Sequence, residues 1–351
     1  MTVRKEDSKF SETNTGKGSR HTEMTVVRVT QSSGNWDAKP AKKRDLFNSI
    51  NNFLTLTCEI LVLMVNLFLS LVESLMKLVL PSQEKLINND IILVTGTGHG
   101  IGRELVLRLS TQGCKIVCWD VNEEGNAETY KIAKEKNLHK NLYMYKCDVS
   151  CREDVLALAE KVRNDVGDVT ILVNNAGIMT CKPLEKQGHD TVKRIFDVNT
   201  MAHFWMLEAF LPGMKQKNKG HIVAVCSMCG IMGMSYGVPY CASKFAVRGL
   251  MESLYEELRN DRLANKIKLT TVFPIGTDTG LAKNLKNRFP NLVPVLTPEE
   301  VALAIVMAIK KETFQVSVPS SVMGFNNVMR LFPRKFQDLI LDFMDTGVYP
   351  D

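Results

Sequence analysis

Two patterns of apolar and polar residues divide the chain. From Phe53 to Leu80, 20 of 28 residues are apolar, enough for one helix to cross a hydrocarbon layer of about 30 Å. From Ile91 onward, short β-branched runs alternate with longer segments of helical period. That alternation predicts an α/β fold with a parallel sheet covered by helices on both faces. The predicted strands are Ile91 to Thr95, Lys115 to Trp119, Leu142 to Lys146, Thr170 to Val173, His221 to Cys226, Lys268 to Phe273 and Gln315 to Val318. Seven strands in one doubly wound sheet leave no residues for a second domain.

The apolar run carries a polar stripe. Asn52, Glu59, Asn66 and Glu73 recur every seven residues, with Lys77 four beyond Glu73. Seven residues of α-helix drift by only ~20°, so these groups share a face and Glu73 can pair with Lys77. A carboxylate in mid-membrane on a lone helix costs roughly a few kcal/mol. Lying in the interface, or folding back as a hairpin, avoids that cost. Residues 46–81, closed by Pro81, therefore read as a hydrophobic membrane anchor, monotopic in preference to a single span or a soluble oligomer seam. Residues 1–45 are rich in Ser, Thr, Lys and Gly without a sustained period and read as a polar, disordered tail. They lack the early apolar stretch of a cleavable signal. Near the other end, Phe332, Phe336, Leu339, Ile340 and Phe343 recur at helical spacing. Residues 321–351 are expected to form an amphipathic helix, either a cap on the core or a flap touching membrane or substrate.

Composition narrows the classes. With 45% hydrophobic and 23% charged residues, the 351-residue chain is neither largely disordered nor a polytopic membrane protein. Residues 1–45 hold ten Lys/Arg against six Asp/Glu, so +4 of the +6 net charge sits there and no nucleic-acid partner is indicated. Nine cysteines without zinc-like spacing, and no Asn-x-Ser/Thr sequon, fit reduced thiols facing the cytosol. The basic flank Lys39, Lys42, Lys43 and Arg44 would send a spanning chain's catalytic part to the lumen. A monotopic anchor removes that conflict.

The first predicted strand runs into Thr95-Gly96-Thr97-Gly98-His99-Gly100-Ile101-Gly102, followed by a helical segment. Glycines let backbone approach a pyrophosphate, and the helix N-terminus supplies amide donors. The second strand ends in Asp120, 18 residues past Gly102, where a carboxylate can accept hydrogen bonds from an adenosine ribose. The same charge repels a 2′-phosphate, which favours NAD over NADP; His99 is the nearby basic residue that argues otherwise. Tyr240 and Lys244 lie four apart on a helix entered through Pro239, Ser227 lies 13 residues upstream of Tyr240, and Asn174-Asn175-Ala176-Gly177 ends another strand. These groups fall at the carboxyl edge where parallel sheets bind ligands. Cys226 and Cys229 form a Cys-x-x-Cys, but a strand end carrying Ser227 is a poor place for a redox pair, and no metal site is expected.

Over Ile91 to Val318, the order and spacing of the glycine motif, Asn-Asn-Ala-Gly, Ser and Tyr-x-x-x-Lys resemble the short-chain dehydrogenase/reductase family, with its Rossmann-type sheet. The resemblance implies a catalytic domain over residues 90–320. It makes Tyr240 the general acid/base, Lys244 the cation that lowers its pKa and contacts the nicotinamide ribose, and Ser227 the donor orienting the substrate oxygen. Asn199 matches the family's Asn that holds a water in the proton relay, Asp148 the adenine contact, and Asn175 a support for the cofactor. Gly96, Gly100, Ile101, Gly102, Asp120, Gly177 and Thr279 complete the implied NAD site. A phenol near pKa ~10 is a weak base at neutral pH, so an adjacent ammonium has a physical role. The sequence departs from the family at Ile275, where Gly is usual after Pro274, and at Cys229, where a small residue is usual.

More narrowly, Asp197-Val198-Asn199, Ala202-His203-Phe204-Trp205, Ala209-Phe210-Leu211-Pro212 and Tyr240 to Ala246 are similar to the branch holding epidermal retinol dehydrogenase and the 17-beta-hydroxysteroid dehydrogenases of types 11 and 13. That branch implies an N-terminal anchor and residence at the endoplasmic reticulum membrane or lipid droplets. Between Ser227 and Tyr240 the residues Met228, Ile231, Met232, Met234 and Tyr236 offer an apolar wall with no Arg or Lys among them, which suits a neutral lipid alcohol. The expected activity is NAD-dependent interconversion of a lipophilic alcohol and its carbonyl, retinol/retinal first and a hydroxysteroid second. A low-activity membrane or lipid-droplet scaffold is the contrasting reading. Expected partners are the lipophilic substrate and a membrane or droplet surface, with a homodimer left open.

Overall fold

The structure, a computed structural model, describes residues 41–79, 84–281, 285–290 and 293–350. The expected tail over 1–40 and the closing Pro81 lie outside the described residues. The chain forms two units, Met1–Pro81 and Ser82–Asp351.

In the first unit, α1 (Ala41–Val79) is a single 39-residue helix. It runs unbroken, so the hairpin form of the anchor finds no turn. Its segment Phe47–Met76 is long and apolar enough to cross a membrane, and its most apolar window buries nothing within the protein. Asn52, Glu59 and Asn66 are exposed along it. The Thr57 hydroxyl donates to the Phe53 carbonyl at 2.8 Å, which satisfies it inside the helix.

The second unit has strands β1 (Ile91–Thr95), β2 (Lys115–Asp120), β3 (Leu142–Lys146), β4 (Ile171–Asn174), β5 (His221–Val225), β6 (Lys268–Pro274), β7 (Leu285–Asn287), β8 (Gln315–Val318) and β9 (Thr346–Val348). Seven of them form one sheet in the order β3-β2-β1-β4-β5-β6-β8, parallel throughout. Sheet and flanking helices make the expected Rossmann-type doubly wound fold. The helices are α2 (Gly100–Ser110), α3 (Glu123–Glu135), α4 (Arg152–Asp165), α5 (His189–Phe196), α6 (Ala202–Lys217), α7 (Val238–Asn260), α8 (Pro298–Lys310), α9 (Ser320–Met329) and α10 (Arg334–Met344).

The central strands are buried on both faces, which is why β1, β4 and β5 read as nearly continuous apolar runs rather than alternating ones. Leu93, Val117 and Leu172 pack with Val155, Met206 and Val247 on one face. Ile92, Val94 and Val173 pack with Leu105, Val106 and Ile305 on the other. The chain leaves β1 outward to β2 and β3, then returns to β4 on the opposite side of β1. That reversal opens a crevice at the strands' carboxyl ends, where such sheets bind ligands.

Three predicted strands, Ile91–Thr95, Leu142–Lys146 and Gln315–Val318, match in full, and the other four of the sheet shift by one residue at one or both ends. Thr170 belongs to the turn before β4, where its hydroxyl accepts from the Ile91 amide at 3.0 Å and donates to Asp90 at 2.8 Å. The C-terminal segment differs more from expectation: in place of one amphipathic helix stand α9, α10 and β9. Pro333 is the N-cap of α10, and a proline disfavours helical backbone in the residue before it. Strand β9 then pairs antiparallel with β7, a three-residue ribbon too short to leave a periodic trace.

Candidate active site

One cavity of about 1720 Å³ extends along the carboxyl ends of the sheet. Single-ligand pockets commonly hold ~300–1,000 Å³, so there is room for a dinucleotide and a second molecule. Gly96, Gly100, Ile101, Gly102, Asp120, Asp148, Asn175, Gly177, Ser227, Tyr240, Lys244 and Thr279 all line it. Asn199 does not line it and is fully buried.

The glycine loop is a tight junction between β1 and α2. Gly96 has φ +73°, and a Cβ on Gly102 would stand 1.9 Å from the Gly96 carbonyl oxygen. No side chain fits there, so the N-terminus of α2 packs directly on the end of β1. Asn175 secures the junction by donating from Nδ2 to the carbonyls of Thr95 at 2.8 Å and Gly96 at 3.2 Å. At the end of β2 the Asp120 carboxylate accepts from the Gly98 amide and the Asn122 amide, both at 2.7 Å. Arg103 lies behind this loop, engaged by the Gly98 carbonyl and Glu128, and exposed His99 is on the cavity wall. Asp148 is tied to Ser150 and, at 3.0 Å, to Arg194. Burial raises its pKa, but those hydrogen bonds and the guanidinium outweigh it and hold the carboxyl below its ordinary value.

The second set of groups sits where β5 meets α7. Pro239 lies in the first turn of α7, and Tyr240 and Lys244 follow one turn apart on its buried side. The Lys244 Nζ donates to the Val225 carbonyl at 3.1 Å and lies 5.7 Å from the Tyr240 ring centre. The Ser227 Oγ accepts from the Cys229 amide at 3.1 Å. Burial pushes the phenol up and neighbouring Cys229 adds to that, while the Ser227 hydroxyl pulls it down. Burial pulls the Lys244 ammonium down. In the protein alone, desolvation therefore outweighs the downward pull on the phenol expected from the ammonium and favours the neutral form.

Asn199 lies in a π-helical turn, Asp197–Met201, between α5 and α6, an irregularity common at functional sites. Its Oδ1 accepts from the Ile178 amide at 2.8 Å, and Nδ2 donates to the Ile178 carbonyl at 2.9 Å and to Ser243 Oγ at 3.0 Å. Both amide protons go to protein groups, so the side chain ties the β4 loop to α7.

A sequence profile described as short chain dehydrogenase matches residues 90–289. The chain belongs to this family. Short-chain dehydrogenase/reductase family 16C member 6 of Bos taurus is 42% identical over 247 residues, 70% of this chain and 78% of that protein. Epidermal retinol dehydrogenase 2 of Mus musculus is 38% identical over 83% of this chain and 93% of its own. 17-beta-hydroxysteroid dehydrogenase 13 of Homo sapiens is 36% identical, covering 80% and 92% respectively. A short chain dehydrogenase/reductase from Burkholderia phymatum, solved in complex with NAD, superposes with a TM-score of 0.63 at 24% identity over 70% of this chain and 95% of its own. The fold of this dehydrogenase is thus shared well beyond its nearer relatives.

The opposite wall of the cavity carries what sequence reasoning missed. Met228, Ile231, Met232, Met234 and Tyr236 line it as expected, and α9 and α10 add Val322, Phe325, Met329, Ile340 and Leu341. Cations absent from the loop arrive from the C-terminal region, but each has a partner. Arg330 donates to the Ile231 carbonyl, Arg334 pairs with Asp338 at 2.7 Å, and Lys286 pairs with Asp345 at 2.5 Å. The helical spacing of Phe332, Phe336 and Ile340 was the available signal, though it did not say which surface the helix would face.

Proposed function

We propose that this dehydrogenase interconverts a lipophilic alcohol and its carbonyl with NAD, retinol and retinal being the leading pair. The observation that carries this reading is the placement of Ser227, Tyr240 and Lys244 beside a cavity wall that carries Met228, Ile231, Met232, Met234, Val322, Phe325 and Met329, with Lys286 and Arg334 paired to carboxylates. The cofactor suits the residues present: the Gly96–Gly102 cradle has no space for side chains, the N-terminus of α2 favours a pyrophosphate, and Asp120 favours an unphosphorylated ribose. Bound nicotinamide would supply the hydride acceptor or donor. Tyr240 exchanges a proton with the substrate oxygen, Ser227 hydrogen-bonds that oxygen, and Lys244 places its charge beside the phenol. Asp148 and Asn175 serve the nucleotide side, and Asn199 keeps Ile178 and Ser243 in register.

The hydroxysteroid reading rests on relatives named for 17-beta-hydroxysteroids at 36–37% identity; the intact Ser227, Tyr240 and Lys244 group argues against a scaffold without turnover. The 39-residue α1 supports association with a membrane, which we place at the endoplasmic reticulum or lipid droplets; a helix lying in the interface leaves the catalytic unit facing the cytosol. Retinol, steroids and fatty alcohols presented in lipid with NAD or NADP, followed at the reduced-nicotinamide absorbance, test the activity. Retinol turnover with NAD is expected, steroid turnover alone would move the assignment to the second pair, and NAD binding without any turnover would favour the scaffold. Protease treatment of sealed microsomes tests the orientation: digestion of the catalytic unit is expected, and its protection would place it in the lumen.

A further inference from the structure

The C-terminal helices turn the wrong side outward for a protein that meets only water. A surface helix ordinarily packs its apolar stripe on the core and gives its charges to solvent. In α10 the polar residues Arg334, Gln337, Asp338 and Asp342 line the cavity beside Ile340 and Leu341. Phe336, Leu339 and Phe343 lie off that wall and are exposed, Leu339 by 61% and Phe343 by 57%, and no residue of the helix is buried. The apolar surface continues across Pro333 into α9. The Phe332 and Phe336 rings stack at 4.6 Å, and Phe325, Val328 and Leu331 are exposed in turn, the last by 83%. Exposed apolar side chains gathered in this way mark a contact surface.

We propose that the outward face of α9 and α10 lies on a phospholipid surface, as a second membrane contact of a chain that already carries α1. Three observations select lipid as the occupant. The apolar segment Phe47–Met76 of α1 has a most apolar window that buries nothing within the protein, which fits a chain kept at a lipid surface. The residues that follow α1 enter the catalytic unit at the β8 edge of the sheet: the Lys85 amide donates to the Lys310 carbonyl at 2.9 Å, and Lys310 pairs with Glu84 at 3.5 Å. Lys310 ends α8 just before β8, and α9 begins just after it, so the entering chain and the apolar face flank the same edge strand. The charges around the face are paired within the protein, Arg334 with Asp338 at 2.7 Å and Lys286 with Asp345 at 2.5 Å, while Arg288 donates to the Phe343 carbonyl at 3.1 Å. A partner recognised by charge finds little there. A zwitterionic lipid surface asks only for apolar side chains, with exposed Lys335 at the border of the stripe to reach phosphates.

The same two helices wall the cavity with their other faces, through Val322, Met329 and Leu341. Phe325 belongs to both surfaces and marks the rim between them. An interfacial helix sinks its apolar face by about 5–10 Å, which sets the apolar end of the cavity against the lipid. A lipid alcohol then passes into the cavity without crossing water. That route rests on the function proposed above; the contact does not.

The test uses the full-length protein in phosphatidylcholine vesicles whose acyl chains carry bromine, a short-range quencher of tryptophan. Leu339→Trp should lose more fluorescence than the parent, whose Trp36, Trp119 and Trp205 set the background. It should also lose more than Lys134→Trp, on α3 beside the opposite edge strand β3. Absence of excess quenching in Leu339→Trp overturns the proposal. So does a dimer in detergent that a Phe336→Glu, Leu339→Glu variant breaks in sedimentation, since a second copy then covers the face. With NAD affinity by titration as the check that this variant is folded, its KM for retinol in vesicles should rise by ~10-fold, because the cavity no longer meets substrate at its effective concentration in the lipid. KM for a short water-soluble alcohol should stay constant, and an equal rise for both overturns the route. If the unaltered protein turns over neither alcohol, the function proposed above fails, and the quenching still decides the contact.

Discussion

At the nucleotide end of the cavity the walls are backbone, or side chains held by backbone; at the substrate end they are side chains carried on a loop and two late helices. Gly102 has its would-be Cβ 1.9 Å from a carbonyl oxygen, and Asn175 and Asp120 spend their polar atoms on the glycine loop. At the other end, Met232 and Met234 sit on a loop and Phe325 is 53% exposed. One end recognises a ligand of fixed shape and tolerates no added atom. The other is built from flexible, polarisable side chains that fit lipids of differing outline.

The sharpest probe is the group between the two ends. Tyr240→Phe removes the proton donor and should lower kcat by ~10²- to 10⁴-fold, with NAD affinity by titration almost unchanged; retained activity would break the assignment. Gly102→Ala tests rigidity next. Its methyl group meets backbone that cannot turn aside, so stability should fall by about 3 kcal/mol in chemical denaturation and NAD binding should be lost. Asp120→Ala should narrow the preference for NAD over NADP by about ten-fold or more, since a like charge beside the 2′-phosphate is removed. A wild-type enzyme already preferring NADP would overturn the reading of Asp120.

Smaller effects should come from the substrate end and from mild acid. Arg330→Ala frees α9 from the Ile231 carbonyl, and KM for the lipid alcohol should rise by a few-fold, within roughly 1.4 kcal/mol, while KM for NAD stays constant. An equal rise in both would blur the division of the cavity. Burial holds His203 and His221 down to about 3, with Lys244 adding to the first and Lys85 and Lys268 to the second. Both are neutral when folded and take up protons near their ordinary pKa when unfolded. Their stabilisation is therefore complete above that ordinary value and is lost as pH falls toward the folded value. From about pH 7.5 to about 6.5 the loss should stay under about 1 kcal/mol, visible as a falling urea midpoint that flattens in a His203→Asn, His221→Gln variant.

Sequence by itself determined the sheet and one wall of the cavity. Strands buried on both faces are mostly apolar, so β1, β4 and β5 stood out as short apolar runs, and the groups at the strands' carboxyl ends are local in sequence: Gly96 follows β1, Asp120 ends β2, Ser227 follows β5. Tyr240 and Lys244 share a helix, so their spacing placed them on one face before any tertiary contact was known. Only the tertiary structure decided that α9 and α10 close the substrate end, that Arg330 grips Ile231, that β9 pairs with β7, and that the Asn199 amide ties Ile178 to Ser243. Each of these is a contact between short or irregular segments. Such segments carry no period and can reach several partners, and the packing of the whole chain selects among them.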